Sequence, residues 1–275
     1  MMVDLIAIQM NGTTSVAENL IQLEELLASA RVNTSEPALV VLPECASQFG
    51  CSGAQILEQT EVKGEGAVQA KFAELARTFN LYLVAGTMPI HCDDSQRYLA
   101  ASLVYSPHGK CISQYNKIHL FDVEIADSTG SYRESKYTCA GTSLAKFNSP
   151  WGDVGQAVCY DLRFAQMFTA LMPMNVMVLP SAFTLATGQA HWHALLRARS
   201  IELQCYVVAA NQVGDHKDGR QTFGHSCIYS PWGELLSVIE SDVGWAAARF
   251  EIKTLQDVRK RMPLHTHKQE RYQFE

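Results

Sequence analysis

The chain has 275 residues, 47% of them hydrophobic, and a formal net charge of -6, enough for one large α/β domain or two smaller ones with a sizeable core. The acidic balance and the lack of long charged blocks remove any electrostatic case for nucleic acid, and no apolar run approaches membrane-spanning length. The eight cysteines include no Cys-x-x-Cys, so spacing supports neither a zinc knuckle nor a dithiol centre, and the reducing cytoplasm is the expected compartment.

The first ten residues carry Asp4 and no basic run, which predicts a buried strand over residues 3–9 rather than a signal peptide. A helix follows over 15–30, with Leu20, Leu23, Leu27 and Ala30 on its inner face. Pro37 precedes a strand over 38–42, which runs into Pro43-Glu44-Cys45. Residues 45–65 are rich in Gly, Ser and Gln and predict a loop over the strand ends, before a helix over 66–79 and a strand over 82–87. This β-α-β-α-β opening favours helices covering a sheet.

The middle of the chain is strand-rich. Ser-Pro-x-Gly occurs three times, at Ser106, Ser149 and Ser230, each time between extended runs, and predicts three antiparallel hairpins. Residues 116–129 read as polar and mostly irregular, and 154–158 as a strand leading to Cys159. Val40-Val41-Leu42-Pro43 is echoed at Val176 to Pro180, an apolar strand closed by a proline that cannot donate to the ladder. The echo suggests two similar halves, each with its own sheet. A helix is expected over 191–204, with Leu195, Leu196, Ala198 and Ile201 inside, then a strand over 205–210, a polar loop over 214–224 and a last strand over 245–251. The domain is read as single, 1–275, with a charged tail from about 253 to 275 at the surface or a subunit interface.

Val158-Cys159-Tyr160-Asp161-Leu162-Arg163-Phe164 is the stretch around which the rest is organised. A thiol at a strand end is rigidly held, and backbone N–H groups just after it are available for an oxyanion. The plain alternative is a small buried apolar residue. Glu44 and Lys117 also follow strands directly, and a cysteine nucleophile needs a base and a cation of these kinds. Each could equally be a solvated surface charge. The histidines show no metal-site spacing: His191 and His193 point to different faces of a helix, and no nucleotide-binding motif occurs.

Leu42-Pro43-Glu44-Cys45, the run from Tyr115 to Asp122, and the Cys159 motif together resemble the nitrilase superfamily of carbon–nitrogen hydrolases, in family order and over nearly the whole chain. The resemblance implies a four-layer α-β-β-α sandwich and a triad of Glu44, Lys117 and Cys159. It is nearest the amidases acting on small ω-amides, in particular those hydrolysing deaminated glutathione, on the stretches 122–125, 131–135, 190–199 and 222–226. It implies that Glu134 is an additional glutamate beside the triad. The substrate-facing candidates are Tyr160, Arg133, Arg163 and Phe183. The implied reaction passes through a thioester and needs no metal or organic cofactor. α-Ketoglutaramate and N-carbamoyl amides are the alternative substrates, and a catalytically silent binding protein of the same fold is the non-enzyme alternative. A homodimer or larger homo-oligomer is implied, with Phe164, Met167, Phe168 and Leu171 as an apolar surface or as ordinary core. Two departures stand out: Ala165-Gln166 where relatives carry Pro-Glu, and His193 where they carry glutamate.

Overall fold

In the computed structural model, which describes residues 4–31, 36–125, 127 and 129–267, two sheets lie face to face with helices outside them. The first has eight strands. Its path runs Gly244–Arg249, Asp4–Gln9, Ala38–Val41, Leu81–Val84, Tyr98–Tyr105, Met88–His91, and Cys111–Asn116 and Thr138–Cys139 also pair with Tyr98–Tyr105. The second has six, in the order Lys146–Ser149, Gly152–Gln156, Val176–Ser181, Tyr206–Asn211, Ser226–Tyr229, Leu235–Ile239. At the centre of each sheet three strands are parallel.

Alternation along the central strands builds the layers. Leu5, Ala7, Leu39 and Val41 meet Val176, Val178, Val208 and Ala210 between the sheets. Their neighbours Ile6, Ile8 and Val40 face outward onto Leu23 and Leu27 of helix Val16–Ala30 and Phe72 and Leu75 of helix Ala67–Thr78. On the other side Met177, Leu179 and Val207 meet Phe168 of helix Ala165–Leu171 and Trp192 and Leu196 of helix Leu185–Leu203. Strands buried on both faces read as continuous apolar runs, as the Val- and Leu-rich segments here do. The result is the four-layer α-β-β-α sandwich, and all three Ser-Pro-x-Gly segments join antiparallel strands.

Several local expectations change. Helix Gly53–Glu58 stands inside the stretch expected to be loop, started by a capping box between Ser52 and Gln55. The segment 213–223 is a short hairpin, Val213–Asp215 against Gln221–Phe223, and 122–133 holds another, Asp122–Glu124 against Ser131–Arg133. Pro180 lies inside its strand, opposite Ala210. Its nitrogen faces the side where the neighbouring strand has already stopped, opposite Val178, so no ladder bond is lost. On helix Leu185–Leu203 the buried face is Gly188, Trp192, Leu196, Arg199, Ser200 and Leu203, while Ile201 is 41% exposed. Arg199 is tolerated there because it donates to Glu202 Oε2 at 2.6 Å and to the Leu162 carbonyl at 3.2 Å. Met167, Phe168 and Leu171 are buried in the core, so they do not form a free surface, and Phe164 stacks on His119. In the charged tail, helix Ile252–Arg261 docks Leu255 and Val258 into the core, and Arg259 donates to carbonyls of Gln204 and Met174. The end of that expected tail, 268–275, and Val3 of the first expected strand lie outside the described residues.

Candidate active site

The carboxyl ends of the parallel strands converge on one pocket of about 370 Å³. Glu44 reaches it because Leu42 completes the ladder to Val84 and Pro43 then stops it. Gly86, at φ 65, packs against this turn, and a Cβ there would sit 2.0 Å from the Pro43 carbonyl oxygen. The Glu44 backbone is clamped to the second sheet: its N–H donates to Ser181 O at 3.2 Å, and its carbonyl accepts from Gln212 Nε2 at 3.0 Å.

Lys117 follows strand Cys111–Asn116, and its N–H donates to Ala100 O at 3.0 Å. Its side chain is 2% exposed, and Nζ donates to Glu44 Oε1 at 2.8 Å and to Glu134 Oε1 and Oε2 at 3.1 and 2.9 Å. Glu134 opens the 3-10 turn Glu134–Lys136 and accepts from the Phe121 N–H at 2.7 Å. Burial opposes the lysine charge, but the two carboxylates, Glu134 first, outweigh it and hold the ammonium well above the usual lysine range. Burial pushes Glu134 up, and Lys117 counters it only in part.

Cys159 follows strand Gly152–Gln156 after Ala157 and Val158, at the head of the 3-10 turn Cys159–Arg163. Its φ of 47 makes a strained elbow, a conformation that costs about 1–3 kcal/mol for a residue other than glycine. The first bond of the turn is Asp161 N–H to Val158 O at 3.0 Å, so the Tyr160 N–H has no acceptor within the turn itself. Burial, and then the charge of Glu44, push the thiol well above the usual cysteine range. The Lys117 charge and the Ala182 backbone act the other way but do not offset this. A neutral thiol at rest can react only if a base takes its proton.

Asp161, fully buried, was missed by sequence reasoning although it lies within the Cys159 motif. Its Oδ2 accepts from Tyr115 OH at 2.7 Å and from the Val158 N–H at 2.9 Å, and its Oδ1 accepts from the His119 N–H at 3.1 Å and pairs with His119 Nδ1 at 2.7 Å. It therefore ties the lysine segment to the cysteine elbow. Asp161→Ala is expected to strip an acceptor from several buried donors and lower stability by about 3 kcal/mol or more, measured by urea denaturation. An unchanged midpoint would show that the carboxylate is not a structural tie.

All the residues singled out from sequence, Glu44, Lys117, Arg133, Glu134, Cys159, Tyr160, Arg163 and Phe183, line this one pocket. Their engagements differ. Arg133 is half exposed, pairs with Glu124 and donates to Tyr132 O at 2.8 Å. Arg163 lies 5.4 Å from the Phe183 ring centroid and 5.8 Å from that of Tyr160, with Nη1 3.3 Å from His191 Nδ1. Arg220 also lines the pocket, over the Phe49 ring at 4.3 Å and paired with Asp218 at 2.6 Å. It sits in the hairpin read as a polar loop, where no motif marks it. His193 is not among the lining residues: it bonds Tyr229 OH at 2.9 Å and His225 Nδ1 at 3.1 Å. Ala165 and Gln166 are exposed at the start of their helix.

The family model described as carbon-nitrogen hydrolase matches residues 6–260. The chain is 38% identical over 266 residues to the nitrilase and fragile histidine triad fusion protein NitFhit of Drosophila melanogaster, covering 94% of this chain but 56% of that protein. It is 35% identical over 263 residues to the deaminated glutathione amidase of Yersinia enterocolitica, covering 94% of this chain and 91% of that one. The crystal structure of Saccharomyces cerevisiae Nit3, a member of branch 10 of the nitrilase superfamily, superposes with a TM-score of 0.87 at 26% identity, over 98% of this chain and 97% of that one.

Proposed function

The chain belongs to the carbon–nitrogen hydrolase family and is a hydrolase acting on amides, and from that premise we propose a cysteine-dependent amidase that splits the terminal amide of a small carboxylic acid. The observation that carries this reading is Lys117 Nζ, held between Glu44 at 2.8 Å and Glu134 at 2.9 Å in the pocket that Cys159 lines.

In this reading Glu44 takes the thiol proton as the Cys159 sulfur attacks the amide carbon. Lys117 and the Tyr160 N–H stabilise the oxyanion. Glu44 then returns the proton to the leaving nitrogen, ammonia departs and a thioester remains. Water, deprotonated by Glu44, attacks the thioester, and the acid leaves as the thiol is restored. Glu134 keeps Lys117 charged and fixed while Glu44 changes protonation.

The substrate is a primary amide on a chain ending in a carboxylate, of the deaminated glutathione kind. Arginines in the pocket wall, Arg163 and Arg220, support an anionic substrate. The test is kcat/KM, by ammonia release, for deaminated glutathione, α-ketoglutaramate, an N-carbamoyl amino acid and a nitrile, expected in that falling order. α-Ketoglutaramate leading would move the assignment to ω-amidase, a nitrile or N-carbamoyl compound leading would overturn the substrate class, and no turnover of any would leave a binding protein.

The same reading includes a homodimer or larger assembly. Ile201 at 41% and Trp232 at 53% exposure are large apolar groups in the open, and Ile201 packs against Gly233 beside that tryptophan. Light scattering at micromolar concentration is expected to give at least twice the chain mass, and an active monomer would refute the assembly. Among the described residues no helix is long and apolar enough to cross a membrane.

A further inference from the structure

Away from the reacting groups, two thiols touch. Strand Met88–His91 runs antiparallel to Tyr98–Tyr105, and Cys92 begins the turn between them. Thr138–Cys139 pairs in parallel with the opposite edge of the same strand, at Tyr98 and Leu99. The two sulfurs, 47 positions apart in sequence, lie 2.6 Å apart. From that separation the sulfurs have only a short further approach to bonding distance. Neither residue is fully buried, so a small reagent has access. The turn holds Cys92 in place, its Sγ donating to Arg97 O at 3.3 Å.

The surroundings set the pace of thiol exchange. Burial, then the neighbouring Cys92 thiol, push Cys139 up to about 11, while the Arg97 guanidinium acts the other way. Arg97 is itself held by Asp94, Nε to Oδ2 at 2.7 Å. Exchange at Cys139 therefore speeds up as pH rises and more of its thiolate forms.

We propose that Cys92 and Cys139 form a reversible disulfide by exchange with a low-molecular-weight disulfide, and that this bond fastens the segment carrying Glu134 to the sheet edge. One protein thiolate attacks a sulfur of the small disulfide, giving a mixed disulfide and releasing one small thiolate. The second protein thiolate attacks the protein sulfur of the mixed disulfide, forming the Cys92–Cys139 bond and releasing the other small thiolate. Two protein thiols are oxidised, one small disulfide is reduced, and the two protons pass to the released thiols.

The bond would close the segment that shapes the pocket floor. The Tyr137 N–H donates to Glu134 O at 3.2 Å, the Tyr137 carbonyl accepts from the Tyr98 N–H at 2.9 Å, and the Gly141 N–H donates to Lys117 O at 2.8 Å. Tyr137 and Thr138 themselves line the pocket. A covalent tie at Cys139 therefore limits opening of the chain that holds both Glu134 and the Lys117 backbone.

The test uses the full chain, equilibrated with excess glutathione disulfide, acid-quenched, blocked with N-ethylmaleimide and digested. Mass spectrometry is expected to find Cys92 and Cys139 peptides joined within one chain, two hydrogens lighter, and separated again by dithiothreitol. The oxidised protein is expected to melt several degrees higher than the reduced one. Cys92→Ser should keep its turnover when reduced, carry a glutathione adduct on Cys139 when oxidised, and lose the rise in Tm. Both thiols blocked by N-ethylmaleimide after equilibration, separate adducts on each, or a bridge between two chains would each overturn the proposal.

Discussion

Cys159→Ala is expected to abolish ammonia release, by on the order of 10⁴-fold or more, while the protein stays folded. The rate falls because no other group reaches the amide carbon from the same elbow. The fold survives because only Sγ is removed. The void left is small, costing about 1 kcal/mol, and alanine is no more strained than cysteine at a φ of 47. Labelling by a thiol-reactive substrate analogue in the pocket should vanish with it. Glu44→Gln separates the thiol's acidity from its use. The charge of Glu44 helps to hold the thiol up, so the variant's thiol should titrate lower and alkylate faster at neutral pH. Turnover should nonetheless fall about 10²–10⁴-fold, because the base is gone. Normal turnover by a folded Cys159→Ala would sink the covalent mechanism, and a near-normal rate in Glu44→Gln would remove that residue as base.

What was legible in the sequence was local. Glu44, Lys117 and Cys159 each sit shortly past a strand, in short motifs that one stretch of chain displays whole. The sheets were legible too, since Leu5-Ile6-Ala7-Ile8 and Val176-Met177-Val178-Leu179 are buried on both faces and carry no polar side. Groups whose role depends on distant partners were not. Asp161 matters because Tyr115 and His119 come to it from more than 40 positions away, and Gln212 holds the Glu44 carbonyl across 168. Arg220 enters the pocket through a hairpin that has no apolar pattern. The inner face of helix Leu185–Leu203 was misread for a similar reason. Gly188 lies there because Phe223 comes so close that a Cβ would sit 2.2 Å from it, and Arg199 because the Leu162 carbonyl receives it. Neither partner is adjacent in sequence.

The second large effect is expected from Lys117→Ala, on both rate and stability. Loss of one oxyanion donor costs about 10²–10³ in rate, and Lys117→Arg is a poor replacement because a planar guanidinium does not fit the position of a compact ammonium between two carboxylates. The stability loss has a different origin. Lys117 is 2% exposed and neutralises Glu44 and Glu134 together, so its removal leaves two carboxylates facing each other without a cation. Breaking a buried ion pair from one side costs about 3–5 kcal/mol. The pH dependence identifies the cause. In the wild type the lysine is held above its ordinary value, so its contribution is present below the unfolded lysine value and declines only as pH rises through the folded one. Glu134 is already raised by burial, which makes the folded state favour its protonated form. Without the cation that preference grows, and the two glutamates can share one proton. The variant should therefore gain stability as pH falls from 8 toward 5, opposite to a protein limited by loss of carboxylate salt bridges. The measurement is urea denaturation of wild type and variant at both pH values. A stability difference that stays constant between them would mean that Lys117 acts through packing, and a variant as stable as wild type at pH 8 would mean that the two carboxylates do not depend on it.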